Sequence, residues 1–445
     1  MELTSDQAAA LEKIKDFIAT PTPGQLRAGQ RFFLLTGKPG TGKTTLMSLV
    51  SESLSSSMQK MTRWTAPTNK AAKVLSSKVG EARTIYSLLG LKLDKKGEIK
   101  VIKEGRQVDL SEVKLIIVDE ASMINSNLLK VISTTSLKFD IKILFIGDDA
   151  QLPPVGEEVS PVWKLDIPEI YKSNLDEVVR HKGKILSINL QVREEVFKFL
   201  PQMRFTCDPY GEEASIEALT MDSEEVLKVK DKEFYTLIYN AAEQGLFLKE
   251  RAEESAKIIT WTNAAVAKYN GYVRTFLFGD MAKENRFIIG DKLILTSPVI
   301  INNETIFSTD TEVILHSYTV IPHPKYNNIL VYELTVSEIS GDEEEEPVSL
   351  LVLHQDSEEI YNQKVKALAE SAKINHKLWE TYWNFQEDFH NVQHAYAITS
   401  HRSQGSTYKV VFADSGNILM NRNRKEAFQC LFVALSRPTT KLYIL

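Results

Sequence analysis

The stretch Gly37-Lys38-Pro39-Gly40-Thr41-Gly42-Lys43-Thr44 constrains this chain more than any other. An apolar run, Phe32-Phe33-Leu34-Leu35, leads into it, and a helical pattern from Thr45 to Leu54 leaves it. Strand, glycine-rich loop and helix in that order make a cradle for phosphate. Glycines let the backbone curl until successive N–H groups point at one anion, and the helix N-terminus adds its positive dipole end. Gly37, Gly40, Thr41, Gly42 and Thr45 are therefore expected to line the phosphates, Lys43 to reach the β- and γ-phosphates, and the Thr44 hydroxyl to hold Mg²⁺. The pattern G-x-x-x-x-G-K-[ST] is met at every fixed position, so a nucleoside triphosphate with Mg²⁺ is the expected ligand.

Strand-like apolar runs recur beyond the loop: Trp64-Thr65-Ala66, Leu115 to Val118 and Ile143 to Ile146. Helical patterns, Asn69 to Ser77 and Ser126 to Thr135, separate them, which predicts an α/β fold around a buried parallel sheet. Ligands of such sheets sit outside the carboxyl ends of the strands. There the chain places Asp119-Glu120, one carboxylate to hold Mg²⁺ and the next to orient or deprotonate the attacking water. After the following strand comes Gly147-Asp148-Asp149-Ala150-Gln151-Leu152-Pro153-Pro154-Val155, whose Gln151 stands on a proline-stiffened loop able to touch a γ-phosphate.

Composition excludes several other classes. The net charge of −6 gives no global basic field, so any nucleic-acid contact must come from a local groove. Cys207 and Cys430 lie far apart, with no CxxC pair, which suits a reducing compartment and argues against a zinc site or disulfide framework. The N-terminal segment lacks the order of a signal peptide, and no apolar run reaches the roughly 18 residues of a membrane span. A cytoplasmic protein without membrane association is expected, in a host cytoplasm if a phage encodes it.

The motifs in series resemble superfamily 1 DNA helicases, and within them the 5′-to-3′ RecD/Dda branch. Ala66-Pro67-Thr68-Asn69-Lys70 is similar to motif Ia, Thr84 to Leu89 to motif Ib, Asp119-Glu120-Ala121-Ser122 to motif II, and the Gly147 to Val155 stretch to motif III. Leu175-Asp176-Glu177-Val178-Val179-Arg180 resembles motif IV, Ile258 to Asn263 with Asn270 the opening of a second motor domain, Thr399 to Ser406 motif V, and Phe432 to Arg437 motif VI. Pro438 departs from the family pattern, which has a small residue there. The resemblance implies two RecA-like P-loop motor domains, 1–180 and 181–445. A β-hairpin at 85–113 would be inserted in the first and a β-barrel-like, SH3-like segment at 291–390 in the second.

The same resemblance supplies roles. Lys43, Glu120, Gln151, Arg180 and Arg437 are expected to be catalytic, with Asp119 and Thr44 on the metal. Gln7, Gln404 and Gly405 would contact the nucleotide, Gln7 by reading adenine from the helix predicted over residues 6–18. Pro67, Thr68, Asn69, Tyr86, Ser400 and His401 would contact a nucleic-acid strand, and Trp383 would stack on a base if it is not a packing residue. Leu91 to Ile102 reads as a hairpin whose Val101 and Ile102 would part the duplex. Expected partners are single-stranded DNA and its junctions with duplex, with a replication or single-strand-binding protein besides, the chain acting as a monomer. Within Asp342 to Glu346 the acidic run would face away from DNA. The alternative function is a P-loop ATPase that remodels a protein partner. Residues 181–255 suggest charged helices with no assignable role.

Overall fold

The structure, a computed structural model, describes residues 3–20, 28–93, 99–101, 109–154, 156–177, 184–198, 225–249, 254–301, 304–339 and 346–445. Arg180, Ile102, Val155, Cys207 and most of the acidic run therefore lie outside the described residues. Two compact units form. One comprises Met1–Lys228, Ser403–Thr407 and Ser415–Leu442, the other Val229–Arg402, Tyr408–Asp414 and Tyr443–Leu445.

In the first unit, α1 (Ser5–Ala19) precedes β1 (Phe32–Gly37), α2 (Lys43–Ser53), α3 (Ser56–Met61) and β2 (Thr62–Ala66). Then come α4 (Asn69–Val79), β3 (Ala82–Thr84), α5 (Ile85–Leu88), the strands β4 (Leu91–Leu93) and β5 (Ile99–Val101), and β6 (Leu115–Val118). After them follow α6 (Ser126–Phe139), β7 (Lys142–Gly147), β8 (Lys172–Leu175), α7 (Lys184–Lys198) and β9 (Val226–Lys228). Six strands make one sheet in the order β3-β2-β6-β7-β1-β8, every neighbouring pair parallel.

Strand alternation sends side chains to both faces, and both are covered. Phe33, Leu35, Leu115, Ile117, Leu144 and Ile146 pack with Ile14 and Phe17 of α1 and Leu46, Met47 and Val50 of α2. On the opposite face Phe32, Leu34, Ile116, Val118, Ile143 and Phe145 meet Leu128, Leu129 and Ile132 of α6. Each fully buried side chain of this kind contributes about 1.5–3 kcal/mol, which is why β6 and β7 read as unbroken apolar runs. Caps fix where the helices start: Thr4 and Gln7 form a reciprocal capping box at α1, Thr68 caps α4, Thr84 caps α5 and Asn125 caps α6. At the far end of α1, Lys142 of β7 donates to the carbonyls of Phe17 and Ile18, a cation on a helix C-terminus. β4 and β5 pair as an antiparallel hairpin, Leu91 opposite Val101 and Leu93 opposite Ile99.

The second unit contains α8 (Asp231–Glu243), β10 (Ala256–Thr260), α9 (Asn263–Phe278) and α10 (Met281–Glu284). A β-rich stretch follows: β11 (Lys292–Leu295), β12 (Val299–Ile301), β13 (Glu304–Phe307), β14 (Glu312–His323), β15 (Tyr326–Glu338) and β16 (Val348–Leu353). The chain continues through α11 (Glu358–Ile374), α12 (Leu378–Glu387), β17 (Val392–His394), β18 (Ala397–Thr399) and β19 (Tyr408–Ala413). Back in the first unit lie α13 (Ser415–Leu419), α14 (Arg424–Leu435) and most of β20 (Pro438–Ile444), whose first position suits a proline because no ladder N–H is needed there. β10 lies between β18 and β19, parallel to both.

Strands of this unit form one antiparallel sheet in the order β16-β15-β14-β11-β17. A parallel bridge joins Val352 of β16 to His390, which lies between α12 and β17. β14 and β15 span 12 and 13 residues, longer than the alternation in Thr311 to Leu315 and Leu330 to Val336 by itself predicts. The extension has a packing cause. Beyond the core of the sheet, Ile321, Tyr326, Ile329 and Val331 are covered by Tyr361, Val365 and Leu368 of α11 with Phe385 and Phe389. At the base, Arg274 of α9 grips Asp291 through two bonds of 3.0 Å, and the Tyr396 hydroxyl donates to the same carboxylate. Among the described residues no helix is long and apolar enough to cross a membrane.

Candidate active site

The loop between β1 and α2 curls through two left-handed glycines, Gly40 at φ 79° and Gly42 at φ 75°. A side chain at Gly42 would be strained by that φ and would also strike Gln7, whose Nε2 lies 2.6 Å from the position of a Cβ. α2 begins at Lys43, earlier than the apolar pattern suggested, because Gly42 turns the chain directly into helical geometry and leaves the helix without a side-chain cap. An uncapped helix N-terminus inside a glycine loop offers its N–H groups to an anion. The Lys43 ammonium folds back over the loop and donates to the carbonyls of Gly37 at 2.7 Å and Lys38 at 3.0 Å.

Two neighbours on α1 hold this loop from behind. Gln7 is buried; its Nε2 donates to the Thr41 carbonyl at 3.0 Å while its Oε1 accepts from Thr4 N at 3.1 Å. Both ends of the amide expected to read adenine are thus engaged in setting the loop. Asp6 accepts from the backbone N–H groups of Asp176 and Glu177 at 3.0 and 3.2 Å, and Lys38 pairs with Asp176 at 3.1 Å. That fixes the chain just before Arg180.

At the end of β6, Asp119 N–H donates to Thr65 O, and the Asp119 carboxylate accepts from Glu120 N at 2.8 Å. Glu120 adopts a left-handed backbone, φ 51° and ψ 46°, a conformation costing a non-glycine residue about 1–2 kcal/mol. Burial raises the Asp119 carboxyl above its ordinary range, with the Lys43 charge pulling the other way. Burial, then the Asp119 charge, pushes Glu120 up to about 7, against the opposing pull of Arg437 and Lys43. A carboxylate poised near neutrality beside a charged partner can take a proton from water. Among the described residues, the buried Ser122 Oγ, Asp148 Oδ2, Gln151 Oε1 and Ser406 Oγ have no hydrogen-bond partner. Buried polar groups are normally satisfied, and unpaired oxygens around an acidic pair fit a hydrated Mg²⁺ and the phosphates it carries. Oxygen donors are also what Mg²⁺ takes.

C-terminal residues close the same cluster within the first unit. Gln429 of α14 donates to the Gln151 carbonyl at 3.1 Å, and Gln404 to that of Leu152 at 3.4 Å. Gly405 stands at φ 72°, where a side chain would meet Ala71. Arg437 is buried, its guanidinium bonded to the carbonyls of Val433 at 3.0 Å and Ser406 at 3.2 Å, and its charge acts on Glu120. The structure therefore brings together Lys43, Asp119, Glu120, Gln151, Gln404 and Arg437.

Sequence reasoning missed Asp6, Gln429 and two residues of α7. Arg193 reaches Asp148 at 3.2 Å and Asp149 at 2.6 Å, and Asn189 donates to the Leu435 carbonyl at 3.1 Å. A signal existed: the buried stripe Ile185, Ile188, Val192 and Val196 has Asn189 inside it, and a polar residue at a core position asks for a partner.

Residues singled out for a nucleic-acid strand are more dispersed. Pro67 is buried, Thr68 spends its hydroxyl capping Ala71 N at 3.2 Å, and Asn69 is exposed at the start of α4. Tyr86 packs against the sheet core, and burial raises its phenol. Val101 pairs with Leu91 through the backbone. In the second unit Ser400 is buried with its N–H on Thr260 O, His401 is half-buried, and Trp383 stacks with Trp379 at 6.2 Å and meets Tyr382 edge-on at 4.8 Å.

Comparison with known proteins agrees with this geometry. Residues 22–197 match a family described as an AAA domain, and residues 394–445 match a UvrD-like helicase C-terminal domain. The chain is 25% identical to the uncharacterized protein R530 of Acanthamoeba polyphaga mimivirus, over 98% of each chain. It is also 25% identical to the ATP-dependent DNA helicase dda of Enterobacteria phage T4, over 85% of this chain and 86% of that protein. The crystal structure of the Pif1 helicase from Candida albicans shares the fold, with a TM-score of 0.50 at 16% identity, covering all of this chain and 94% of that one.

Proposed function

We propose that this chain, which belongs to the Dda/RecD-like superfamily 1 helicases, hydrolyses ATP to move along single-stranded DNA from 5′ to 3′ and opens duplexes as it goes. Its fold is the α/β, two-domain RecA-like fold. The observation that carries the reading is the charge cluster in which Lys43 acts on Asp119 and, together with Arg437, on Glu120. A site built only to hold a nucleotide needs no carboxyl held near neutrality under the pull of two cations.

In the proposed cycle the glycine loop and the N-terminus of α2 bind the phosphates, and Lys43 leaves the carbonyls of Gly37 and Lys38 for the β- and γ-phosphates. Thr44 and Asp119 would hold Mg²⁺, which neutralises phosphate charge when bound. Glu120 orients the attacking water and receives its proton. Arg437 and Arg180 would stabilise the charge spreading over the transferred phosphoryl group. Gln151 senses the γ-phosphate and passes its state to α14 through Gln429.

The motor domains would be 1–180 and 181–445, with 85–113 acting as the element that parts the strands and 291–390 as the accessory insertion. Thr68, Asn69, Tyr86, Ser400 and His401 would follow the strand by polar and stacking contacts, with Trp383 adding a base platform worth about 1–3 kcal/mol per base. Partners are then single-stranded DNA and its junctions, and the chain would act as a monomer. Duplexes carrying either a 5′ or a 3′ single-stranded overhang test this directly. ATP-dependent unwinding of the 5′-overhang substrate alone is expected; unwinding confined to the 3′-overhang substrate would overturn the direction, and none on either would overturn the function.

A further inference from the structure

We infer that Arg193 and Asn189, one turn apart on α7, are positioning residues that hold the Gln151 turn and the Arg437 helix in one frame for ATP hydrolysis. The inference rests on the proposed reading of the site. Asp148 is fully buried, and its carboxylate shapes the turn that presents Gln151: it accepts from Ala150 N at 3.0 Å, while Gln151 N donates to the Asp148 carbonyl at 3.2 Å. A buried carboxylate needs a partner charge. Arg193 supplies it at 3.2 Å, takes Asp149 at 2.6 Å, and rests its guanidinium on the Phe197 ring at 4.8 Å.

On the same face, Asn189 donates to the carbonyl of Leu435, the last residue of α14. Arg437 follows two residues later, and α7 packs along α14. One rigid helix thus carries a clamp on each of the two segments that meet the γ-phosphate, and the direct bond from Gln429 to Gln151 closes the triangle. A shift of about 1 Å in such a frame can cost on the order of a hundredfold in turnover. Neither α7 residue touches the nucleotide in this scheme; they act through Gln151 and Arg437.

The test is steady-state ATP hydrolysis, with and without single-stranded DNA, by the full chain. Arg193→Gln is expected to lower kcat by about tenfold to a hundredfold while KM for ATP and affinity for single-stranded DNA change little. Arg193→Lys should recover part of the loss, because an ammonium can neutralise Asp148 without the fork that spans both acids. Asp149→Asn, at a partly exposed carboxylate that should not endanger folding, is expected to lower kcat less, and adding it to Arg193→Gln should cause little further loss. An unchanged kcat in Arg193→Gln, or losses in the double variant that simply multiply, would overturn the inference. So would a fall in kcat matched by an equal loss of ATP affinity and of melting temperature, the mark of a purely structural role. A wild-type protein whose hydrolysis ignores DNA would defeat the helicase reading instead, while basal turnover of these variants would still decide this one.

Discussion

Replacing Lys43 with alanine is expected to lower ATP turnover by a hundredfold or more and to abolish unwinding, while binding of single-stranded DNA persists. Lys43 both caps the phosphate loop through Gly37 and Lys38 and acts electrostatically on Asp119 and Glu120. Removing a preorganised donor from developing charge typically costs about 10²–10³ in rate. The residues proposed to follow DNA lie on other segments, so the strand should still be gripped. Parallel measurements of turnover and of fluorescence anisotropy with a labelled oligonucleotide check this. A variant that still unwinds would contradict the motor scheme; one that loses DNA affinity in proportion to turnover would show that the loop is needed for the grip itself.

Glu120→Gln should have opposite effects on activity and stability. As general base, Glu120 accounts for about 10²–10⁴ in rate, and the amide cannot accept the proton. In the folded chain burial and Asp119 raise the carboxyl to about 7, above the ordinary 4.5, so the fold favours its protonated form. The sign follows from linkage. Below the unfolded value both states are protonated and there is no penalty; as pH rises through about 7 the folded state comes to bear a buried charge. The penalty is then of the order of 1–3 kcal/mol. The variant, free of that charge, should melt a few degrees higher than wild type at pH 8, and the difference should vanish toward pH 4.5. Thermal melts across that range check the linkage, and turnover at pH 8 checks the base. A variant that hydrolyses ATP normally would remove Glu120 from the chemistry.

What the sequence makes legible is contiguous or periodic. The phosphate loop is eight consecutive residues, and Asp119-Glu120 ends an apolar run that could hardly be anything but a central strand, so the sheet and its ligand edge follow from local patterns. The long hairpin of β14 and β15 is not legible, because α11 and α12, which cover its outer half, come later in the chain. The partners of the α7 clamps, though not the odd position of Asn189 in its apolar stripe, are hidden for a similar reason: Arg193 finds Asp148 across 45 positions and Asn189 finds Leu435 across 246. Gln7 shows a third limit. Its position before the loop suggested adenine, and only coordinates show the amide divided between the helix cap and the Thr41 carbonyl. Side-chain hydrogen bonds over such distances have no periodicity to betray them.

The central claim is that hydrolysis at Lys43, Glu120 and Arg437 is coupled to a nucleic-acid strand. The ATPase rate measured against increasing single-stranded DNA tests it most directly. A saturable rise of tenfold or more is expected, about 1.4 kcal/mol off the barrier for each factor of ten; a rate that stays flat from no DNA to saturating DNA would contradict it.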